Sequence, residues 1–135
     1  MMLTITIDRG VEEPVYGQVA HQIRKLIASG ALAPGMTLPP VRRLAGDLGV
    51  NLNTIARAYR ILEGEGFLII RGRSGVKVAA PAEEIEASTH ARLLDDLGTT
   101  VARLRQAGVA PQELLEFVRR ELLEPDGRGT EDRNE

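Results

Sequence analysis

Asn53 and Arg57, four residues apart, are the first pair in this sequence whose types and spacing suggest chemistry. On a helix they share one face. Near the amino end of a helix set in a DNA major groove, an asparagine amide can pair with the two-point edge of adenine, and a guanidinium can reach guanine. Thr54 and the free amide groups of such a helix start suit phosphate. Asn51 is of a type that caps a helix beginning just after it. Arg42 and Arg43 lie shortly upstream, and Arg71, Arg73 and Lys77 follow in a glycine-bearing stretch that also holds Ser74 and Gly75. There they could track phosphates or enter a minor groove. The candidate duplex-contacting set is therefore Arg42, Arg43, Asn51, Asn53, Thr54, Arg57, Arg71, Arg73, Ser74, Gly75 and Lys77.

These residues need elements to position them. Residues 3–8 alternate Leu3, Ile5 and Ile7 with polar neighbours, predicting a short half-buried strand. Pro14 precedes a helix to residue 29, with Val15, Val19, Ile23, Leu26 and Ile27 in one apolar stripe. Gly30 stops it. Pro34-Gly35 and Pro39-Pro40 make 31–40 a turn segment. A short helix over 41–48, with Pro40 suited to its first turn, ends at Gly49. Asn51 then caps a third helix to about 65, with Ile55, Ala58, Tyr59 and Leu62 inward. Two β-type runs, 67–70 and 76–79, enclose Arg71-Gly72-Arg73-Ser74-Gly75 as a basic hairpin tip. Helix, helix, tight turn, helix, hairpin is the order of a winged helix-turn-helix.

Beyond Pro81 the composition turns acidic. A helix over 82–107 carries Leu94, Leu97, Val101 and Leu104 at spacings of 3, 4 and 3, a seam that packs helix on helix. After Gly108 and Pro111, a helix over 112–124 places Leu114, Leu115, Val118 and Leu122 on one side. Pro125 ends it, and 125–135 reads as a disordered tail. The seam needs a partner, and both the 112–124 helix and a second chain are expected to supply one. The expected dimer residues are Leu94, Leu97, Val101, Leu104, Leu114, Val118 and Leu122. The fold class expected is α+β and mostly helical: a winged helix-turn-helix over 1–80, a two-helix dimerisation segment over 81–124, then the tail.

The charge of the 135-residue chain is −2, but it is unevenly spread. Residues 1–80 carry ten basic side chains against six acidic, net +4; residues 81–135 carry seven against thirteen, net −6. A basic front fits nucleic acid. With only Tyr16, Tyr59, Phe67 and Phe117 aromatic, no platform for stacking single-stranded bases remains. Zero cysteines exclude disulfides and thiolate zinc sites, which fits a cytoplasmic setting. No apolar run is long enough to span a membrane, and the amino end lacks the pattern of a signal peptide. Ser29, Ser74 and Ser88 lie in no GxSxG; there is no P-loop, GxGxxG or HExxH. His21 and His90 are isolated, and Asp95-Asp96 point to different sides of a helix. No enzyme activity, cofactor or metal is expected.

Residues 14–79 carry a long ordered pattern: a PVYxQ opening, IRxxIxxGxLxPGxxLP, R-x-LA-x-x-LGV, NT-x-x-RAY-x-x-LE-x-EG and a glycine-bearing wing. It resembles the DNA-binding half of the GntR family of bacterial transcription regulators, and the short carboxyl part is similar to that of the YtrA-like subgroup. The resemblance implies a homodimeric regulator on a palindromic operator, with Arg42, Asn53, Thr54, Arg73 and Gly75 at family contact positions. Two residues depart from the family pattern. Pro40 stands where a small residue, often Ser, begins the second helix, and Leu52 stands where many members have Arg. The expectation is a repressor binding double-stranded DNA, with any effector unidentified. The alternative is a winged-helix protein-interaction module whose acidic helices bind a partner.

Overall fold

The computed structural model describes residues 3–72, 75–80 and 87–124. They fall into two compact units, Met1–Ala80 with Glu121–Glu135, and Pro81–Arg120.

In the first unit, helix α1 (Val15–Ala28) starts behind Pro14 and buries Gln18, Val19, Ala20, Ile23 and Leu26 along one stripe. Helix α2 (Val41–Leu48) starts behind Pro40, which is the cap itself (φ −60°, ψ 156°) rather than a residue of the first turn. Neither proline offers a side-chain acceptor to the helix it opens. Gly49 ends α2 at φ +67°, a conformation that costs a side chain dearly, and the Val50 N–H returns to the Ala45 carbonyl at 3.0 Å. Two residues later Asn51 opens helix α3 (Leu52–Gly64), its side chain accepting the Asn53 N–H at 2.7 Å. The helices and their tight turn stand where the sequence pattern put them.

The sheet holds a strand that was not expected. Strands β1 (Thr37–Leu38), β2 (Leu68–Ile70) and β3 (Val76–Val78) pair antiparallel in the order β1-β3-β2. β1 lies inside the proline-rich segment read as a turn. The prolines forbid helix there, yet they leave two residues free to extend, too few to show alternation. Leu38 and Ile70 both register with Val76, while Thr37 and Ile69 register with Lys77 on the opposite face.

Residues 3–8 correct another expectation. They are extended, with Ile5 buried between exposed Thr4 and Thr6, but they join no strand. Their partner is a helix. Gln18 accepts the Asp8 N–H at 2.8 Å and donates to the Asp8 carbonyl at 2.8 Å and the Glu13 carbonyl at 2.9 Å. Gln22 accepts the Thr6 N–H at 3.0 Å and donates to the Thr6 carbonyl at 2.6 Å. A primary amide carries a donor and an acceptor side by side, as a strand edge does. Four helical residues rise about 6 Å and two strand residues about 6.8 Å, so two glutamines one turn apart match alternate residues of an extended chain.

Two helices and one strand converge on α3. It packs against α1, α2 and β2, and Ile55, Ala58, Tyr59 and Leu62 are fully buried there. The Tyr59 hydroxyl donates to the Pro39 carbonyl at 2.7 Å, tying α3 to the residue before the α2 cap. Burial pushes this phenol well above its ordinary value of 10, since the phenolate would lose its water.

In the second unit, helix α4 (Ala87–Gln106) ends in a turn where the Val109 N–H bonds the Leu104 carbonyl at 3.0 Å. Helix α5 (Pro111–Leu123) follows, with residues 111–120 in this unit and 121–123 counted with the first. The expected start of α4 at 82 and the tail from 125 lie outside the described residues.

Two stability outcomes follow. Gln18→Ala strands polar groups under a buried side chain and should cost about 1–3 kcal/mol in urea unfolding, more than Gln22→Ala, whose bonds are exposed. For Tyr59, the folded state holds its proton longer than the unfolded state. Stability is thus unaffected below pH of about 10 and falls as pH rises beyond it. Tyr59→Phe should cost about 0.5–1.5 kcal/mol at neutral pH and flatten the decline of the urea midpoint between roughly pH 9 and 11.

Candidate nucleic-acid interface

The burial of one side of α3 decides what its other side offers. At 100° per residue, Asn53, Arg57 and Arg60 fall within roughly 30° of the direction opposite the buried stripe. All three are exposed. Thr54, beside that face, is half-buried, and Asn51 is exposed while its side chain is committed to capping. Leu52 is an exposed apolar side chain at 38%.

Arg42 and Arg43 are exposed in the first turn of α2. At the hairpin, the Arg71 N–H bonds the Gly75 carbonyl at 3.0 Å, and Gly75 (φ +88°) bonds back to the Gly72 carbonyl at 3.2 Å. Arg71 is exposed at the end of β2. Lys77 is exposed on the outer face of central β3, with Thr37 and Ile69 as its neighbours across the sheet. Gly75 is half-buried. Arg73 and Ser74 lie outside the described residues. The structure thus gathers Asn53, Arg57 and Arg60 on one helix face, and sets Arg42, Arg43, Arg71 and Lys77 in solvent on neighbouring elements.

Charge accounting sharpens this picture. Arg24 is held by both carboxylate oxygens of Glu65, at 2.9 and 3.1 Å, so it is already neutralised. Arg42, Arg43, Arg57, Arg60, Arg71 and Lys77 form no ion pair with a described carboxylate. Their charges are available to phosphate. His21 and His90 are exposed. No cluster of His, Asp and Glu able to hold a metal ion occurs among the described residues.

Arg60, which helical spacing leaves outside the core, falls on the outward face as well. Two residues escaped the sequence reading of the site. Arg9, counted only as charge, reaches the Gly49 carbonyl at 3.5 Å, beside the turn between α2 and α3. Tyr16 carries the Arg57 guanidinium over its ring, 3.9 Å from the centroid. Both contacts join residues 40 or more apart in the chain, and no local spacing signals them.

On α4, Leu94 (67%) and Leu97 (53%) are exposed, and so are Val101 and Leu104. On α5, Val118 and Leu122 are exposed, Leu114 is half-buried, and Leu115 (70%) and Phe117 (51%) are exposed as well. The expectation that the second of these helices covers the seam of the first is therefore corrected. No helix of the described residues is long and apolar enough to cross a membrane.

Comparison with known proteins agrees with this geometry. Residues 15–78 match the family described as bacterial regulatory proteins, gntR family. The chain is 43% identical over 75 residues to the HTH-type transcriptional regulator Rv1152 of Mycobacterium tuberculosis, covering 56% of this chain and 62% of that protein. It is 32% identical over 117 residues to the HTH-type transcriptional repressor YtrA of Bacillus subtilis, covering 85% of this chain and 89% of that protein. The solved structure of YtrA from Sulfolobus acidocaldarius, a GntR-family transcription factor, superposes with a TM-score of 0.54 at 35% identity, covering 71% of this chain and 97% of that one. The chain spans 62% of the length of the Mycobacterium relative and 19% of a longer one. Matched from the first residues of α1 to the end of β3, and alike over most of its length to a short relative of the same build, this chain belongs to the GntR family, within its YtrA-like subgroup.

Proposed function

We propose that the chain is a sequence-specific regulator of transcription that binds double-stranded DNA as a homodimer on a palindromic operator and represses. The observation that carries this reading is the outward face of α3. Asn53, Arg57 and Arg60 stand there in solvent, behind a capped amino end and opposite a fully buried stripe. A helix so presented can lie in a major groove while α2 braces it. Asn53 reads adenine and Arg57 guanine; exposed Leu52 suits a thymine methyl group. Arg42, Arg43, Arg71, Arg73 and Lys77 hold the backbone on either side.

One small winged unit makes too few base contacts for useful specificity, and two copies read two half-sites. The exposed apolar side chains of α4 and α5 support self-association, since a patch of this kind is rarely left to water. The net −6 of residues 81–135 discourages docking in the wrong orientation. The name of the Bacillus relative supports repression. An effector would act by changing the relative placement of the two winged units.

Selection from a random duplex pool tests the reading. A symmetric pair of half-sites is expected, and affinity should fall linearly in log salt. Failure to enrich any sequence would overturn it. Within the selected operator, Asn53→Ala should relax preference at one position per half-site, by about 1–3 kcal/mol. Lys77→Ala should weaken binding evenly across sequences and reduce the salt slope by about 1. Leu97→Glu with Val101→Glu should give a monomer in sedimentation and lose operator affinity while retaining weak, salt-sensitive binding to random duplex.

A further inference from the structure

Arg57 differs from its companions on the outward face of α3. Its guanidinium lies 3.9 Å above the ring of Tyr16, a half-buried residue in the first turn of α1 that packs against the core. It makes no ion pair or hydrogen bond with any other described residue. A guanidinium held over a ring spends no N–H donor on that contact, so its donors remain available. The ring therefore restrains a long side chain without consuming what that side chain would use for recognition.

From this we infer that Tyr16 is a positioning residue for base recognition: it holds Arg57 as a rigid planar fork, so that a residue on α1 sets preference at the one operator base pair that Arg57 reads. This rests on the reading of α3 as the helix that enters the groove. The physical cause is preorganisation. A flexible arginine must surrender its rotamer freedom when it forms two parallel hydrogen bonds to guanine, whereas a stacked one has surrendered much of it beforehand. Because a misaligned fork still carries its charge, losing the ring should blur base preference at that position and leave general attraction to phosphate intact.

The test uses the full chain, with two readouts. First, 15N relaxation of the arginine Nε–H groups in the free protein compares Arg57 with Arg60. Arg57 should be the more ordered, and Tyr16→Leu should bring it to the level of Arg60 while Tyr16→Phe leaves it ordered. Equal mobility in the unsubstituted protein would overturn the proposal, whatever the protein does with DNA, and even if Tyr16→Leu failed to fold. Second, base preference is measured position by position on the selected operator. Tyr16→Leu should lower discrimination roughly tenfold at one position per half-site, the position that Arg57→Ala also affects. Tyr16→Phe should preserve it, and Tyr16→Leu with Arg57→Ala should be no worse than Arg57→Ala alone. An unchanged preference profile in Tyr16→Leu, or a loss spread evenly over all positions, would show that Tyr16 only supports the fold. If the unsubstituted chain selects no operator while Arg57 is ordered, the groove reading falls and the inference with it; if it selects one and Arg57 is mobile, only the inference falls.

Discussion

The fold depends on the complete burial of one side of α3. Ile55, Ala58, Tyr59 and Leu62 are fully removed from water between α1, α2 and β2. Each large side chain in such a place contributes about 1.5–3 kcal/mol. The hydroxyl bond from Tyr59 to Pro39 adds about 0.5–1.5 kcal/mol, and the half-exposed Arg24–Glu65 pair at most about 1 kcal/mol. Packing thus decides that α3 stays, and the polar ties decide where its ends lie. With that side committed, the angle between successive residues leaves Asn53, Arg57 and Arg60 nowhere to point but outward.

Much of this was legible beforehand because the signals were local. Prolines and glycines bracket the helices: Pro14 and Pro40 before two of them, and Gly49 at the left-handed turn. Asn51 bonds the amide two residues on, as its type and place suggest. The buried stripe of α3 followed from helical spacing. What escaped was non-local. β1 is two residues long and acquires its identity from β3, which lies about forty positions away. Residues 3–8 showed true alternation, and Ile5 is buried as alternation requires, but alternation says nothing of which partner supplies the hydrogen bonds. The stack of Arg57 on Tyr16 joins α3 to the start of α1 and leaves no trace in spacing.

The second unit shows the opposite imbalance. Its leucine seam was plain in the sequence, and the structure leaves that seam open to solvent. Periodicity identifies a face that needs covering; it does not identify the cover. Phe117, exposed beside Val118 on the same helix as Leu115 and Leu122, widens the apolar surface beyond the stripe that spacing alone picked out.

The paired amides of Gln18 and Gln22 have a consequence for how the amino-terminal segment moves. A strand in a sheet is released only when a ladder of backbone bonds gives way. Here the Thr6 and Asp8 amides bond to two side chains of a helix, and release of the segment also draws Ile5 out of the core. The segment can detach while every helical hydrogen bond of α1 survives, a local opening far cheaper than unfolding the core beneath it.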